Sequence, residues 1–455
     1  MFQRRIIKFS TTRMIVIGFL AGILIGAFLL ALPISSRTHT VTPFADSLFT
    51  ATTSICVTGL TTVNTMEHWS LFGQIVILIL IQFGGLGVVT FTTTIFLILG
   101  RRITLSERLV IQDAYNLDTL KGLVKLTIRI MKGTFLVEGI GALLYCIRLI
   151  PQYGASGIWK SVFLSVSAFC NAGMDIMTLD SLTSYRGDVL MNMTTMLLII
   201  IGGIGFPVWW NTVEVIKAIG RKEIKPGRFW MRVTLHSKLV ITTTLVLILG
   251  GAILIFALEY RNPATIGELP MKEKVLAALF QSVTTRTAGF FTIPQDELTP
   301  AGAFLSLILM FIGGSPSGTA GGVKTVTVVM LLLSALSIAK GRNDVEVFDR
   351  RISEKYVRKG LAVVLFSLSA LFLSAMALSI AEQADFLDTL YECTSAIATV
   401  GLSRNMTPGL STAGKYIIMI TMYLGRVGPI TMALAFNAKR LRGTRTLPDG
   451  KIIVG

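Results

Sequence analysis

Four short segments of the chain place a glycine where backbone oxygens can coordinate an ion. They read TSICVTGL (53–60), SAFCNAGM (167–174), TTRTAGFF (284–291) and AIATVGLS (396–403). Their glycines are Gly59, Gly173, Gly289 and Gly401, and the intervals are 114 (59 to 173), 116 (173 to 289) and 112 (289 to 401) residues. A regular interval of this length indicates that a whole structural unit has been duplicated.

Carbonyl oxygens arranged in a ring can replace the hydration shell of a monovalent cation such as K⁺. Glycine suits such a ring because it adopts positive φ at little cost, and because it has no Cβ to narrow the passage. For any one segment, a tight turn or a close helix contact is an alternative explanation of the glycine. Four segments in register favour the ion site.

The surrounding sequence is that of an integral membrane protein. Of 455 residues, 52% are hydrophobic and only 15% are charged, with a mean hydropathy of +0.70. Soluble proteins carry about 25% charged residues. Eight spanning helices are predicted, at about 14–33, 71–99, 124–150, 189–215, 237–258, 302–340, 357–381 and 414–437.

Each glycine segment lies between two predicted spans and follows a helix too short to cross the membrane. These short helices carry Phe49, Phe163, Phe280 and Tyr391. The predicted fold is therefore an all-α membrane protein of four pseudo-symmetric helix–pore-helix–helix repeats around one pore. The repeats are expected at 1–110, 111–225, 226–345 and 346–455, and the last includes a short cytoplasmic tail.

A second glycine motif follows each first one after roughly 25 residues, which strengthens the duplication. The four motifs are FGGLG (83–87), IGGIG (201–205), IGGSPSGTAGG (312–322) and LGRVG (424–428). One such match is weak because glycine is common in membrane helices. Four matches in step with four turns indicate a repeated architectural position.

The net charge of +17 is read as a membrane-orientation signal. The basic residues cluster between apolar segments, on the side where eight spans leave both termini, and this predicts a multi-pass protein of the cell membrane with both termini cytoplasmic. Membrane lipid is then the surrounding partner. Nucleic acid is not expected, because no basic stretch has interleaved aromatics or a nucleic-acid module.

Catalytic and cofactor chemistry are not indicated. Cys56, Cys146, Cys170 and Cys393 form no CxxC pair, and the three histidines are scattered. No nucleophile with an acid–base partner is recognisable, so an enzyme is not expected. No cofactor is expected in this chain, since its GxG matches lie within apolar segments and lack the strand–turn–helix context of nucleotide sites.

The motifs carry a family resemblance. Thr399–Gly401 reads TVG and resembles the start of the potassium-channel filter sequence Thr-Val-Gly-Tyr-Gly. Together with SAFCNAGM, TTRTAGF and GGSPSGTAGGVKT, the four-repeat arrangement resembles the Ktr/Trk/HKT superfamily of potassium transporters over nearly the whole chain. Eight spans without an additional N-terminal pair are most similar to the bacterial KtrB/KtrD membrane subunit.

The resemblance implies a K⁺-binding selectivity filter and potassium uptake as the ion-translocating subunit of a Ktr-type system. Gly59 favours K⁺, since serine there in plant relatives is associated with Na⁺ preference. A tightly coupled K⁺/Na⁺ or K⁺/H⁺ symporter stays open as the alternative. The implied filter residues are Val57, Thr58, Gly59, Asn171, Ala172, Gly173, Thr287, Ala288, Gly289, Thr399, Val400 and Gly401.

The same resemblance implies partners and conditions of transport. It implies a homodimer with one pore in each chain, and a separate cytosolic ring of nucleotide-binding regulatory subunits of the KtrA/KtrC type. It also implies K⁺ as the transported ion, Na⁺ as a candidate activator and a bacterial source. The regulatory nucleotide would bind the partner ring rather than this chain.

A gate is expected below the filter, where Pro316 and several small residues interrupt a predicted span. Arg426 is a charged residue inside another span, a costly placement that indicates a cavity or a partner. Alternatives are a helix kink for the loop, snorkelling for Arg426 and a cytoplasmic boundary for Lys324. The expected gating residues are Gly313, Gly314, Ser315, Pro316, Ser317, Gly318, Thr319, Ala320, Gly321, Gly322, Lys324 and Arg426.

The sequence also suggests roles for three further charged residues. Arg286 is expected to brace the third filter segment from behind, because a cation facing the ion path would oppose cation entry. Asp175 either raises the K⁺ concentration at the outer mouth or is an ordinary solvated acid. Glu138, in the third predicted span, is expected to pair with a basic residue.

Overall fold

The computed structural model describes residues 11–87, 90, 93, 123–177, 180–342, 344–428 and 431. Several sequence-based expectations therefore lie outside the described residues. These are the basic clusters at the N-terminus, at Arg101, Arg102 and Arg108, and in the C-terminal tail, together with the far ends of the predicted spans 71–99 and 414–437.

Helices of three kinds recur in the same order along the chain. Long helices 1 to 4 are Thr11–Ala31, Leu123–Tyr153, Leu235–Glu259 and Glu354–Glu382. Short helices 1 to 4 are Phe44–Cys56, Ser156–Cys170, Met271–Thr284 and Phe386–Ala398. Returning helices 1 to 4 are Leu71–Leu86, Val189–Gly203, Pro300–Phe311 and Thr412–Val427.

The long helices alone among the described elements have the length and apolarity of membrane spans. Four such helices are found there, or five if one bent pair is counted as a single span. Their outward faces carry exposed apolar side chains, such as Phe28, Leu143, Ile253 and Phe372. This arrangement fits lipid rather than water as the surrounding solvent. The count of eight spans stays a prediction.

The returning helices end at the second set of glycine motifs. Gly87, Gly205 and Gly428 follow the ends of returning helices 1, 2 and 4 with φ values of 81°, 93° and 89°, a conformation that glycine adopts at little cost. After Gly205 the chain resumes as the helix Phe206–Gly220, bent by 100°. The predicted span 189–215 is therefore interrupted.

The predicted span 302–340 is interrupted more extensively. Returning helix 3 ends at Phe311, and the next helix, Thr325–Ala339, begins only after a 13-residue loop at 312–324. Pro316 removes one backbone donor and restricts φ, so it opposes a continuous helix here. We call residues 312–324 the crossing loop.

The described residues also contain a small hairpin that an all-α prediction omits. Strand Val345–Val347 pairs antiparallel with Arg350–Ile352. Phe348 and Asp349 form its two-residue turn, with φ of 49° and 58°. Such turns normally use Asn, Asp or Gly at both positions, so Phe348 conceals the signal. The remaining short elements are Pro33–Ser35, Thr65–His68, Thr183–Tyr185, Pro226–Arg228, Phe229–Arg232 and Thr407–Gly409.

Polar contacts join the ends of long helices 2, 3 and 4 to the starts of the returning helices that follow them. We call this side of the molecule, from which the short helices begin, the outer side. At long helix 3, the buried carboxylate of Glu259 accepts from the backbone N–H and the hydroxyl of Thr299, at 3.0 and 2.6 Å, and from Asn262 and Thr265. Glu382 accepts likewise from Ser411.

At long helix 2 the two sides of the junction exchange roles: the long helix supplies the cation, and the carboxylate precedes the returning helix. Arg148 near the end of long helix 2 donates to Asp188, which precedes returning helix 2, at 2.6 Å. Asp188 in turn accepts from Met191 N–H as the helix N-cap. A carboxylate at a helix N-terminus is favoured by the unpaired N–H groups and the helix dipole.

We predict that Glu259→Ala lowers the thermal midpoint of the detergent-solubilised protein. The change removes the buried acceptor of four hydrogen bonds, and a hydrogen bond to a charged group contributes about 1.5–3 kcal/mol. Glu268→Ala, at an exposed carboxylate nearby, is the matched control and should leave the midpoint unchanged. Equal midpoints for the two variants would show that the junction contributes nothing to stability.

Candidate ion pathway

Each short helix ends in a left-handed turn that leads into one of the four glycines. Two residues before each glycine stands a residue with positive φ: Val57 at 55°, Asn171 at 59°, Thr287 at 68° and Thr399 at 53°. Three of these residues are β-branched, and for them the conformation is rare and costs about 1–3 kcal/mol each. The same costly conformation thus recurs at four matching positions of the chain.

Three of the turns close with the same hydrogen bonds. Thr58 N–H donates to Thr53 O at 2.9 Å, and Ala172 N–H donates to Ser167 O at 2.8 Å. Val400 N–H donates to Ser395 O at 2.8 Å. This six-residue closure is the Schellman motif, which satisfies carbonyls at a helix C-terminus.

The four glycines meet at one place in the molecule. All have positive φ, between 65° and 102°. A methyl group on Gly59 would lie 3.1 Å from Gly173 Cα and 3.2 Å from Gly401 Cα, and one on Gly289 would lie 2.8 and 3.3 Å from the same two atoms. Segments more than a hundred residues apart in sequence therefore form a closed ring of four.

Four carbonyl oxygens belong to this ring. A methyl group on Gly59 would lie 2.7 Å from Ala172 O, and one on Gly173 would lie 2.7 Å from Ala288 O. The same relation joins Gly289 to Val400 O at 2.7 Å and Gly401 to Thr58 O at 2.2 Å. Each glycine thus faces the carbonyl that precedes the next glycine around the ring, and no side chain fits there.

Hydroxyl groups on the short helices hold the turns from behind. Gly59 N–H donates to Thr53 Oγ1 at 2.9 Å, and Gly401 N–H donates to Ser395 Oγ at 3.0 Å. Ser167 Oγ donates to Met174 O at 2.5 Å and accepts from Met174 N–H. Thr284 donates to the carbonyl of Phe290. These bonds use the hydroxyls to satisfy backbone groups at membrane depth.

A second support lies farther out in three of the segments. The residue thirteen positions before the glycine bonds the residue three positions after it. Asp46 Oδ1 accepts from Thr62 at 2.8 Å, and Asp388 Oδ1 pairs with Arg404 at 2.6 Å. Lys160 Nζ donates to the Ile176 carbonyl at 2.8 Å. The start of each of these short helices is thereby tied to the chain leaving its turn.

The third segment is built differently. Its helix ends at Thr284, and Arg286 lies in the longer turn before Thr287. Arg286 is 6% exposed, and its guanidinium donates to Thr244 on long helix 3 at 3.4 Å. Its backbone carbonyl accepts from Asn171 Nδ2 at 3.4 Å. The side chain therefore points away from the glycine ring, the placement that bracing from behind requires.

The outer mouth is a cavity of about 430 Å³ above the four glycines. Asp175, Asp180 and Asp296 line it together with neutral polar groups. Asp175 Oδ1 also accepts from Met177 N–H at 3.1 Å. Carboxylates around a concave mouth raise the local concentration of cations.

The crossing loop presses against the inner side of the turns. Thr319 Oγ1 lies 3.1 Å from both Phe169 O and Asn171 Oδ1. Gly321 N–H donates to Thr287 Oγ1 at 3.1 Å. A methyl group on Gly321 would also lie 2.7 Å from the carbonyl of Ala398. The loop therefore contacts the second, third and fourth turns, and it covers the inner end of the ring.

The loop is also bonded to the break in returning helix 2. Ser315 N–H donates to Gly203 O at 2.9 Å. In the other direction, Phe206 N–H donates to Ser317 O at 3.0 Å. Backbone groups freed by one interruption are thus satisfied by the other, as unpaired groups within a membrane must be.

Arg426 and Lys324 hold the loop through carbonyl groups. Arg426 donates to Thr319 O at 2.7 Å and to Gly84 O at 2.5 Å, so it joins returning helix 4 to the loop and to returning helix 1. Lys324 Nζ donates to Ala320 O at 2.6 Å. Both side chains line an inner cavity of about 390 Å³. Neither acts as a surface charge in this arrangement.

Comparison with known proteins places the chain in a family. The family model described as "TrkH: Cation transport protein" matches residues 10–442. The chain belongs to the TrkH cation transport protein family. Its members transport cations, so this protein is a transporter rather than an enzyme.

Two curated relatives of this TrkH-family chain match over their full lengths. It is 40% identical over 450 residues to the Ktr system potassium uptake protein B of Bacillus subtilis, covering 99% of this chain and 98% of the relative. It is 38% identical to the potassium/sodium uptake protein NtpJ of Enterococcus hirae, covering 98% of both. Both relatives are named for uptake of monovalent cations.

The fold of this TrkH-family chain also matches a solved structure. The crystal structure of the potassium transporter TrkH from Vibrio parahaemolyticus aligns with a TM-score of 0.71 and 15% identity. The match covers 96% of this chain and 87% of that one. At this identity, the likeness shows the fold alone.

One expectation about a charged residue of this TrkH-family chain is wrong. Glu138 was expected to pair with a basic residue, but its contacts among the described residues are neutral: Gln82 Nε2 at 3.3 Å and Cys170 Sγ at 3.9 Å. Glu392, for which no role is predicted from the sequence, is a fully buried carboxylate that accepts from Ser403 at 2.7 Å and from Thr407. A glutamate within a segment at membrane depth was the available signal.

We predict that Gly173→Ala abolishes cation uptake by the TrkH-family chain while the protein still folds. The methyl group would lie 2.7 Å from both Ala288 O and Gly289 Cα, so the ring must distort. Gly154→Ala is the matched control: Gly154 also has positive φ, at 62°, but a methyl group there meets nothing within 4 Å. Uptake by reconstituted protein distinguishes the two, and equal loss in both would refute a specific role for the ring.

Proposed function

We propose that the chain is the ion-translocating subunit of a Ktr-type potassium uptake system. The observation that carries this proposal is the closed ring of four glycines, each facing a backbone carbonyl of the next segment. The names of the relatives, potassium uptake and potassium/sodium uptake, agree with a monovalent cation as substrate.

The selectivity filter consists of Val57–Gly59, Asn171–Gly173, Thr287–Gly289 and Thr399–Gly401. A cation entering the ring exchanges water oxygens for the carbonyl oxygens of Thr58, Ala172, Ala288 and Val400. The short helices end at this ring, so their C-terminal dipoles favour a positive ion there. The four segments belong to four repeats, at 1–110, 111–225, 226–345 and 346–455, with eight spans and both termini cytoplasmic.

The crossing loop is the gate, and the structure supports this role in a closed arrangement. Residues 313–322 and Lys324 lie below the ring, and Arg426 ties the loop, through Thr319 O, to returning helices 4 and 1. For an ion to pass, the contacts of Thr319 and Gly321 with the turns must break. Removing Arg426 therefore favours the open arrangement.

The proposal also includes a role for sodium and for partner proteins. The potassium/sodium name of the Enterococcus relative supports an activating or co-transported Na⁺. Tightly coupled symport of K⁺ with Na⁺ or H⁺ is the alternative function. The word system in the name of the Bacillus relative agrees with an assembly of several components. For this chain we propose a homodimer and a cytosolic nucleotide-binding ring as those components.

The test is uptake of Rb⁺ into proteoliposomes under an outward K⁺ gradient, with external K⁺ or Na⁺ as competitor. We expect wild-type uptake to be competed better by K⁺ than by Na⁺. Arg426→Ala should raise the rate, because it removes the hydrogen bond to Thr319 O that ties the loop to returning helices 4 and 1. Arg404→Ala, which removes an arginine on the outer side instead, is the control and should not raise it.

The contrary outcomes are specific. Equal competition by K⁺ and Na⁺ would contradict a K⁺-selective filter. Unchanged uptake in folded Arg426→Ala would contradict the gating role. Strict dependence of Rb⁺ uptake on a Na⁺ or H⁺ gradient would favour the coupled symporter.

A further inference from the structure

Three side chains from three helices form a buried polar cluster beside the second filter segment. Glu138 lies near the middle of long helix 2 and is 5% exposed. Gln82 comes from returning helix 1, and Cys170 is the last residue of short helix 2. Cys170 directly precedes Asn171, the left-handed residue of the second turn.

The distances close this cluster into a ring. Gln82 Nε2 donates to Glu138 Oε2 at 3.3 Å, and Cys170 Sγ donates to Gln82 Oε1 at 3.6 Å. The remaining side of the ring is the 3.9 Å separation of Cys170 Sγ and Glu138 Oε1. A thiol has one hydrogen, so Cys170 can donate along the 3.6 Å contact to Gln82 or along the 3.9 Å contact to Glu138, but not along both. We take the hydrogen to lie on the shorter contact, to Gln82. The remaining side can be a hydrogen bond only if Glu138 supplies the proton.

No cation neutralises Glu138 in the part of the chain that the structure describes. Its hydrogen-bonding neighbours on returning helix 1 and short helix 2 are Gln82, Cys170 and Ser165, whose hydroxyl donates to the Glu138 backbone carbonyl at 2.6 Å. Arg426 donates to Thr319 O and Gly84 O rather than to Glu138. Returning helix 2, which also packs against long helix 2, carries no titratable side chain. An ionised carboxylate buried here without a paired charge would be very costly.

We propose that Glu138 is a neutral carboxylic acid that positions the second segment of the filter. Its O–H donates to Cys170 Sγ, which completes a ring in which each of the three side chains both donates and accepts. The ring fixes the C-terminus of short helix 2, and hence Asn171–Gly173, against long helix 2 and returning helix 1. The inference rests on the proposed filter and adds a positioning residue to it.

Because only the neutral acid completes the ring of Gln82, Glu138 and Cys170, the ring should be intact at low pH and open at high pH. At low pH the proton is present and the second segment is held. As the pH rises and the proton is lost, the carboxylate has no hydrogen to donate and the contact with Cys170 opens. Discrimination between K⁺ and Na⁺ should therefore weaken at alkaline pH.

The experiment measures Rb⁺ uptake with Na⁺ competition over a pH series, for wild type, Glu138→Gln and Glu138→Ala in proteoliposomes. Glutamine keeps the shape and a donor but cannot ionise. We expect Glu138→Gln to retain selectivity at every pH, wild type to lose it at alkaline pH, and Glu138→Ala to lose it several-fold throughout. Gly173→Ala is run in parallel: a selective, conducting Gly173→Ala protein would refute the filter assignment rather than the role of Glu138.

Infrared spectra of the same full-length proteins provide a readout that does not depend on transport. Wild type should show a carboxylic-acid carbonyl band that fades as the pH rises and is absent in Glu138→Gln. Glu259→Gln, at another buried glutamate, is the matched control for the assignment of the band to Glu138. A Glu138→Gln protein that is as unselective as Glu138→Ala, or a wild type without a band removed by Glu138→Gln, would overturn the proposal.

Discussion

A carbonyl group within a membrane must either be hydrogen-bonded or face something that can replace water. At the four-glycine ring the chain leaves the carbonyls of Thr58, Ala172, Ala288 and Val400 outside any helix and places each beside a residue without a side chain. The placement of these four carbonyls constrains the surrounding backbone. It requires positive φ at eight positions, four of them not glycine, and it requires other groups to satisfy the surrounding backbone.

The supports differ among the segments although the ring is nearly regular. Hydroxyls hold all four turns, but the outer tie uses a carboxylate with a hydroxyl, an ammonium with a carbonyl, or an ion pair. The third segment replaces it with a reciprocal pair of amides, Gln281 and Gln295, at 2.7 and 3.0 Å. Similar backbone geometry is thus maintained by unlike chemistry, which a duplicated unit can acquire once its parts diverge.

The positions of the four turns could be predicted from sequence because glycine at positive φ leaves a signal in register. Phe49, Phe163, Phe280 and Tyr391 were likewise assigned to short helices, and all four are fully buried there. The supporting contacts could not be predicted in this way. The bond between Asp388 and Arg404 and the bond between Lys160 and the Ile176 carbonyl share spacing but not residue type, so no motif reveals them.

The sequence marks charged residues at membrane depth as unusual, but it does not identify their partners, which lie far away along the chain. Arg426 meets carbonyls of segments 107 and 342 residues away in sequence, and Glu138 meets an amide and a thiol rather than a cation. The helix interruptions after Phe311 and Gly203 leave a clearer signal in the sequence, because Pro316 and paired glycines disfavour a continuous helix there. The two interruptions bond each other, and that contact is what places the loop beneath the ring.

Anomalous diffraction from crystals grown with Rb⁺ in place of K⁺ tests the central claim most directly. If the ring is a cation site, an Rb⁺ peak should lie on its axis, within coordination distance of the carbonyl oxygens of Thr58, Ala172, Ala288 and Val400. The peak should be lost in Gly173→Ala and kept in Gly154→Ala. Rb⁺ bound elsewhere along the pathway, with the ring empty in the wild type, would contradict the account.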